Sequence, residues 1–363
     1  MINILHISPD FNYACGVSKH VFELLNNFNN NNKFKVYFIT NGGDAISKLE
    51  KHDINYTLIK FSKGWKNIFY FPFNYLSLKK FCKKNKIDII HTHHRYPEFL
   101  SFLLKKQLNI KTITTAHSFV DSYKKISFKS DKIITVSNAV KNLIVNNYNI
   151  QKEKVSTLYN CLNQIELVNS SKFMKIKRKY RIEENEKILL YLGRISKQKG
   201  TKTLIDSYRE LKKSSKDIKL LLIGNIEDKV IEKMNIQLNE DIFVEKSQQI
   251  VSSFYTLCKV VILPSLYESF PYLMLEAGFF KKPFIGSRTG GIAEFIEDGV
   301  NGFLFEPGNA DDLAEKIKFV INNPEKAKSA AEELHKKVKK YCDCEEYFEK
   351  LMNTYEELYK SEL

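Results

Sequence analysis

The repeated alternation of short apolar runs with amphipathic stretches of helical period most constrains what this chain can fold into. Residues 1–7 form an apolar run, and residues 17–28 follow with apolar side chains on one helical stripe. The same order returns at residues 188–192 and 201–211. Because parallel strands need crossover connections, usually helices, this alternation predicts parallel sheets covered by helices on both faces.

A polar, basic stretch without a clear strand divides these elements into two sets. We therefore predict a first Rossmann-like domain over residues 1–165, a linker over residues 166–180 and a second Rossmann-like domain over residues 181–344. The charged residues from about 345 to 363 are predicted to form a helix that packs back on the first domain. A chain of 363 residues suits two such α/β domains, which we expect to face each other across a cleft.

Composition argues against several classes of protein. The first residues predict a strand rather than a signal peptide, and no apolar run approaches the roughly 18 residues of a membrane span. The six cysteines include no C-x-x-C pair, which argues against a zinc ribbon or a thioredoxin-like site. We therefore expect a cytoplasmic protein, and its net charge of +15 favours anionic partners.

The first candidate site residues directly follow a predicted strand, which is where ligands bind in open parallel sheets. Residues 193–200 read Gly-Arg-Ile-Ser-Lys-Gln-Lys-Gly. Arg194 and Lys199 would suit a diphosphate, because a guanidinium presents a planar fork of donors and an ammonium presents a point charge. The alternative is an ordinary basic loop between a strand and a helix.

Two carboxylates follow another predicted strand. Glu268 lies in the loop before a predicted helix, whereas Glu276 lies about a turn and a half into it. Because its sequence neighbours are apolar, Glu276 needs hydrogen-bond donors, which sugar or ribose hydroxyls would supply. The helix N-terminus offers amides to an anion, and Gly290-Gly291 could form a tight turn that exposes further amides. The alternative is a pair of structural acids.

In this order and spacing, the motifs resemble the C-terminal half of the GT-B glycosyltransferases of glycosyltransferase family 4, also called glycosyl transferases group 1. The resemblance is carried by Gly-Arg with a following Lys-Gly, by Glu-x7-Glu, by Gly-Gly-x-x-Glu and by Asp-Gly-x-x-Gly-Phe-Leu. Weaker matches extend over the whole chain. Gly16 resembles the family's N-terminal glycine turn, although Cys15 stands where a second glycine is common, and His117 ends a Thr-x-His turn.

The resemblance implies a retaining, metal-independent transfer from a nucleotide-sugar donor without a cofactor, with a UDP-sugar favoured over a GDP-sugar. Glu276 would bind the ribose, Glu268 the donor sugar, and His117 would contact the sugar near the reacting face. The remaining residues would bind the donor around its diphosphate: Gly16, Arg194, Lys199, Ser269, Phe270 and Pro271. Glu268, His117, Arg194 and Lys199 are the candidate catalytic residues. Without a convincing enzyme nucleophile, we expect front-side attack, with the acceptor proton passing to the leaving diphosphate.

Rival functions remain to be separated. A dinucleotide-dependent oxidoreductase would need G-x-G-x-x-G after a strand and a P-loop enzyme its own glycine motif, and the sequence has neither. A nucleic-acid-binding protein would explain the charge but not Glu268 and Glu276, so no nucleic acid is expected. A GT-B epimerase or phosphorylase is the nearest catalytic alternative. His91, His93 and His94 could suggest a metal site. No carboxylate is obviously placed beside them, however, and we expect no metal ion there.

A basic, aromatic stretch in the first domain suggests a further partner. Residues 61–73 are rich in aromatics, residues 79–86 in lysine, and Lys124, Lys125 and Lys129 follow Tyr123. Such a face could rest on anionic lipid, which would suit a peripheral enzyme whose acceptor is a glycan or lipid-linked glycan in surface-polysaccharide assembly. The alternative is that the aromatics form core and the lysines merely solvate helices.

Overall fold

A computed structural model describes residues 1–29, 31–62, 64–120, 124–163, 170–227, 241–246 and 252–361. The chain divides into two compact units. Unit 1 comprises Met1–Asn160 and Cys344–Leu363, and unit 2 comprises Cys161–Asp343. Residues 166–169 of the predicted linker lie outside the described residues, and a helix begins at Ser170.

Unit 1 is built on seven parallel strands in the order β3-β2-β1-β4-β5-β6-β7. The strands are β1 (Ile2–Ile7), β2 (Phe34–Thr40), β3 (Tyr56–Leu58), β4 (Ile89–Thr92), β5 (Lys111–Ala116), β6 (Lys132–Thr135) and β7 (Val155–Thr157). The helices are α1 (Gly16–Asn29), α2 (Ile46–Lys51), α3 (Asn67–Lys84), α4 (Arg95–Leu108) and α5 (Asn138–Tyr148), joined by the C-terminal helix given below. Short 3₁₀ turns cover Gly64–Lys66 and Lys152–Lys154.

Unit 2 is built on six parallel strands in the order β10-β9-β8-β11-β12-β13. These are β8 (Lys187–Leu192), β9 (Ile218–Ile223), β10 (Ile242–Glu245), β11 (Val260–Leu263), β12 (Phe284–Ser287) and β13 (Phe303–Phe305). Its helices are α6 (Ser170–Lys179), α7 (Thr201–Lys212), α8 (Ser252–Leu257), α9 (Tyr272–Phe279), α10 (Gly290–Phe295), α11 (Ala310–Asn322) and α12 (Pro324–Tyr341). The last helix of the chain, α13 (Cys344–Lys360), belongs to unit 1.

In both sheets the direction in which successive strands are added along the chain reverses once. This pattern confirms the predicted two-domain α/β architecture. In unit 1 the change lies between β1 and β4, and in unit 2 between β8 and β11. The strands flanking these points are buried along most of their length, as expected of strands covered on both faces. In such sheets a crevice for ligands opens at the carboxyl ends of the two strands where the order reverses.

Side-chain hydrogen bonds mark the starts of α11 and α5. The side chain of Asn309 accepts hydrogen bonds from the amides of Asp311 and Asp312, and Ser137 accepts one from the amide of Val140. Both are N-caps, which satisfy amides that the helix itself leaves unbonded. Within the described ranges, no helix is both long enough and apolar enough to cross a bilayer.

A column of five buried or nearly buried imidazoles runs through unit 1 at the carboxyl ends of its central strands; we call it the histidine column. It contains His6, His20, His91, His93 and His117. His93 lies at its centre, with Nε2 3.3 Å from Nδ1 of His6 and Nδ1 3.1 Å from Nε2 of His117. The rings of His91 and His93 stack with centroids 4.5 Å apart.

Helix α13 supplies two phenols to this column. The hydroxyl of Tyr355 lies 2.6 Å from Nδ1 of His91, and that of Tyr347 lies 3.3 Å from Nε2 of His20. Tyr355 is fully buried, and its ring also packs against Phe28 and Phe34. The C-terminal helix is therefore part of the core of unit 1.

Burial holds the pKa of each imidazole in the column below its ordinary value. The pKa of His6 is lowered to about 3 by burial and then by the nearby His20. Burial lowers the pKa of His20 to about 4, against a hydrogen bond with Asn160 that raises it. The pKa values of His91, His93 and His117 lie well below the ordinary range for the same first reason, with neighbouring imidazoles adding to it. The column is therefore neutral at pH 7.

This neutrality predicts that unit 1 loses stability on acidification. Each imidazole binds a proton near pH 6.5 in the unfolded chain but only at lower pH in the fold, so the unfolded chain binds more protons in between. The free energy of unfolding should therefore fall as the pH drops from about 6.5 through 4. Denaturant titrations followed by the fluorescence of Trp65, the single tryptophan and part of unit 1, measure this fall.

A matched pair of variants isolates the column in that experiment. His6→Phe removes one depressed group, so it should flatten the slope of unfolding free energy against pH by up to about 1.4 kcal/mol per pH unit between pH 6 and 4. The control variant is His52→Asn, which removes an exposed imidazole outside the column. Equal slopes in wild type and His6→Phe would contradict the role given to the column.

Candidate active site

The loop between β8 and α7 lies pressed against the end of β11. Gly200 has φ +65°, and a Cβ placed on it would lie 1.8 Å from the carbonyl oxygen of Pro264. Only glycine permits so close an approach together with this backbone conformation. The amide of Leu266 also donates to the carbonyl of Gln198 at 3.0 Å. The two loops that carry the predicted donor-binding residues of unit 2 are thereby joined through their backbones.

Lys199 and Glu268 meet across this junction. Nζ of Lys199 donates to both carboxylate oxygens of Glu268, at 2.6 and 3.0 Å. The two side chains are only 24% and 13% exposed, so solvent screens the pair less than it would a surface ion pair. Burial raises the pKa of Tyr191, and the nearby charge of Glu268 adds to this effect. Two residues that are 69 positions apart thus form one charged centre.

The loop from Glu268 to Pro271 is held from behind by Gly291. The amide of Gly291 donates to the carbonyl of Glu268 at 3.0 Å, and a Cβ on Gly291 would lie 1.7 Å from the carbonyl oxygen of Ser269. The possibility that Gly290-Gly291 exposes its amides is therefore wrong for Gly291, whose amide supports the neighbouring loop. Phe270, in the same loop as Ser269, is buried and makes an edge-to-face contact with Phe295, which lies on α10 together with Gly291.

Pro271 stands at the N-cap of α9 and offers no side-chain cap to its first turn. The polar N-terminal end of this helix thus lies directly after the loop that holds Glu268 and Ser269. An unscreened helix N-terminus favours anions, because its amides carry partial positive charge.

Glu276 is buried on α9, where the hydroxyl of Tyr255 donates a hydrogen bond to its Oε2. Tyr255 lies on α8, is fully buried and stacks on Phe280 with ring centroids 4.7 Å apart. Burial and then the charge of Glu276 raise the pKa of this phenol well above its ordinary value, so it remains the donor. The carboxylate is therefore held in one orientation without any ligand.

Arg194 lies on the same loop as Lys199 but has a different partner. Its Nη1 lies 3.3 Å from Oε1 of Glu227, and its side chain is about half exposed. The hydroxyl of Tyr191 donates to the backbone carbonyl of Arg194 at 2.6 Å, which holds the main chain rather than the guanidinium. The structure thus pairs Lys199 with Glu268 and Arg194 with Glu227.

In unit 1, Gly16 and His117 follow the carboxyl ends of two different strands. Gly16 is the first residue of α1, after β1, so its amide lies in the first turn of a helix. His117 comes directly after β5 and belongs to the histidine column. Because its pKa is low, His117 is neutral at pH 7, and its bond to His93 leaves its ring fixed in orientation.

Two sets of three histidines in the column have ligand atoms within 4.8 Å of one another: His6, His91 and His93, and His20, His93 and His117. Both ring nitrogens of His91 already make short hydrogen bonds, to Tyr355 and to Thr115. A cation bound by the first set would have to break at least one of them. Metal-independent activity therefore stays a prediction.

Sequence patterns missed the residues that orient the site. Tyr255 and Tyr191 carry no motif. The hydrogen bond of Tyr255 to Glu276 joins residues 21 positions apart, and that of Tyr191 to the carbonyl of Arg194 depends on the turn of the chain after β8. His6 and His20 were missed for the same reason. A buried tyrosine near a buried carboxylate is a usable signal only once the strand order is known.

Two family models match the chain one after the other. The model for Glycosyltransferase Family 4 matches residues 14–164, and the model for Glycosyl transferases group 1 matches residues 172–338. Each covers most of one structural unit, and the second includes Arg194, Lys199, Glu268 and Glu276.

Relatives of known sequence and structure agree with these models. An uncharacterized glycosyltransferase of Methanocaldococcus jannaschii is 29% identical over 350 residues, with 92% of each chain covered. A crystal structure of a glycosyltransferase from Rickettsia africae has a TM-score of 0.83 at 26% identity, with 99% of each chain covered. The structure of HepE from Anabaena in complex with UDP-glucose has a TM-score of 0.85 at 16% identity, with 98% of this chain and 100% of that one covered.

The strand order of both units, the run of motifs and these matches lead to one conclusion: the chain is a two-domain GT-B glycosyltransferase and belongs to the family 4 type.

Proposed function

We propose that this glycosyltransferase moves a sugar from a UDP-sugar, with retention of anomeric configuration and without a metal, to a hydroxyl of a glycan or lipid-linked glycan. The observation that carries the proposal is the Lys199–Glu268 pair, placed where the loops after β8 and β11 meet. A sugar nucleotide offers such a centre hydroxyls for the carboxylate and a diphosphate for the ammonium. A GDP-sugar is the second choice of donor.

Charge on the leaving group supports the roles of the cations. When the bond from the anomeric carbon to oxygen breaks, its electron pair goes to the β-phosphate oxygen, which gains negative charge. Lys199 and the first-turn amides of α9 are held in place before the reaction, so they would stabilise this charge at little cost in reorganisation, and Arg194 would add a second cation. In unit 1 we assign the Gly16 amide to the same diphosphate.

The orientation of Glu276 supports a role in binding the ribose. Tyr255 holds one oxygen of this buried carboxylate, and a vicinal diol could donate two hydrogen bonds to the group as a whole. The complex of HepE with UDP-glucose lends support to uridine as the base. Ser269, Phe270 and Pro271 complete the donor-binding loop between the two carboxylates.

Front-side attack is the mechanism that we propose for retention. Glu268 is held by Lys199, which makes its carboxylate a poor nucleophile toward the anomeric carbon. The acceptor oxygen would instead form its bond on the face that the diphosphate leaves, and its proton would pass to the departing phosphate oxygen. Neutral His117 would contact the donor sugar on that face.

A lipid-linked acceptor lies in a membrane. We therefore propose that the enzyme acts at the inner face of an anionic membrane during surface-polysaccharide or glycolipid assembly. The lysine-rich first domain supports this proposal through charge alone.

The reaction is tested with a panel of UDP- and GDP-sugars, offered with an acceptor, with phosphate or alone. We expect transfer to the acceptor and a product whose anomeric proton coupling matches that of the donor. Inversion would overturn front-side attack, and epimerisation or phosphorolysis without transfer would replace the proposed reaction by another one of the same fold.

Removal of the cations should reduce turnover. We expect Lys199→Ala and Arg194→Ala each to lower kcat by about 10²–10³-fold, because each removes a group that stabilises charge on the leaving diphosphate. Lys197→Ala removes an exposed lysine of the same loop and serves as the matched control. Initial rates at saturating donor, with circular dichroism to check folding, measure the effect. Near-normal kcat in both variants would remove them from the mechanism.

The two carboxylates should separate nucleotide binding from sugar binding. We expect Glu276→Gln to weaken the binding of free UDP about tenfold or more, since it loses a charge-assisted hydrogen bond, whereas Glu268→Gln should leave UDP affinity nearly unchanged and impair transfer. Glu315→Gln, on the exposed side of α11, is the control. Calorimetric titration with UDP gives the affinities. Unchanged affinity in Glu276→Gln would show that Glu276 is not the ribose ligand.

A further inference from the structure

Helix α3 of unit 1 is apolar on the side that faces away from the core. Phe69, Phe73 and Leu76 are spaced by four and three residues, so they form one stripe along the helix. They are 72%, 61% and 62% exposed. The buried residues of α3, Asn74, Leu78 and Cys82, lie on the opposite side. An ordinary surface helix carries polar residues where this stripe lies.

The exposed apolar surface extends beyond the helix. Ile68, at the start of α3, is 73% exposed, and Leu58 of β3, at the edge of the sheet, is 61% exposed. An open groove of about 850 Å³ runs between α3 and β3, with Leu58 and Phe73 among its lining residues. We call Leu58, Ile68, Phe69, Phe73 and Leu76 together the α3 surface.

The charged residues that line the groove are all lysines. Residues 55–87 contain eight lysines and neither aspartate nor glutamate. In the part of the chain that the structure describes, the exposed Lys60, Lys66, Lys80 and Lys84 take part in no ion pair. Lys60, Lys80 and Lys84 also line the groove, so cations and apolar side chains occupy one continuous face.

We propose that the α3 surface docks on an anionic lipid bilayer, with the apolar stripe at the boundary between headgroups and acyl chains and the lysines on the headgroup phosphates. Interfacial helices bind membranes by this combination of buried apolar area and attraction to anionic lipids. The inference deepens the proposed function, on which it rests for the lipid-linked acceptor, by naming the element that brings the enzyme to it.

Other occupants fit the face less well. A second copy would bring another run of lysines against the first, and like charges at close range oppose association. Single-stranded nucleic acid is bound by stacking on aromatic rings, whereas Leu58, Ile68 and Leu76 are aliphatic. A bilayer accepts aliphatic and aromatic side chains equally and supplies the negative charge.

Co-sedimentation of the full chain with vesicles tests the proposal. We expect binding to vesicles of phosphatidylcholine with phosphatidylglycerol, and at least tenfold weaker binding to phosphatidylcholine alone. Binding should weaken between 50 and 500 mM NaCl, because salt screens the lysines. No binding to the anionic vesicles at 50 mM NaCl would overturn the proposal, as would a protein that dimerises through this face instead.

Two sets of variants separate the apolar and charged parts. We expect at least tenfold weaker binding from the apolar variant, Phe69→Ser/Phe73→Ser/Leu76→Ser, because it removes the side chains that would enter the bilayer. We expect at least the same loss from Lys80→Glu/Lys84→Glu, because each lysine contributes about a fivefold factor to binding. Val300→Ser/Tyr359→Ser and Lys328→Glu/Lys339→Glu remove exposed apolar and basic residues elsewhere and should bind as wild type. If the control variants lost as much vesicle binding as the α3 variants, the α3 surface would not be the membrane-binding site.

The depth to which the α3 surface enters the bilayer is measured with a single tryptophan at position 73. The variant for this is Phe73→Trp on a Trp65→Phe background. We expect its emission to shift to the blue and to be quenched by lipids brominated in the acyl chain. Full exposure to an aqueous quencher on bound vesicles would place the surface outside the bilayer and contradict the proposal.

Failure of this inference can be told apart from failure of the proposed function. The α3 variants should retain wild-type kcat with a water-soluble acceptor, because no residue of the α3 surface is assigned to the active site. Transfer by a protein that never binds vesicles would overturn the membrane surface alone. Vesicle binding by a protein that transfers no sugar would overturn the proposed function alone.

Discussion

Two backbone contacts that only glycine allows organise the candidate active site of unit 2. Gly200 brings the loop after β8 against the carbonyl of Pro264, and Gly291 brings α10 against the carbonyl of Ser269. The first contact puts Lys199 within hydrogen-bond reach of Glu268, and the second holds the loop that carries Glu268. A side chain at either glycine would separate segments whose polar groups are useful only together.

The architecture could be predicted because alternating strands and helices leave few ways to cover a parallel sheet. The order of motifs indicated the family and placed the candidate residues after strands β8 and β11. The contacts of those residues could not be predicted, since periodicity is local whereas Tyr255 meets Glu276 through packing across 21 positions. Arg194 and Lys199 share one loop, yet only the folded backbone shows that they have different acidic partners.

Helix α3 shows why composition alone left the basic, aromatic stretch undecided. The aromatics of this helix divide between two sides: Phe71 and Tyr75 pack on the core, whereas Phe69 and Phe73 are exposed. A helix that is apolar on two opposite sides has little periodic contrast, so its sequence does not reveal which aromatics face solvent. Only the position of the helix against the sheet distinguishes them.

The phenols that α13 adds to the histidine column bear on how this protein is made. Helix α13 is synthesised about 190 residues after β7, the last strand of the sheet that it completes. At about 5–20 residues per second, a ribosome needs roughly 10–40 s to cover that distance. During that interval the nascent unit 1 has His91 and His20 without Tyr355 and Tyr347, and an open core beside Phe28. Chaperones that recognise exposed aromatic surface on nascent chains would therefore find their target in the half of the protein made first.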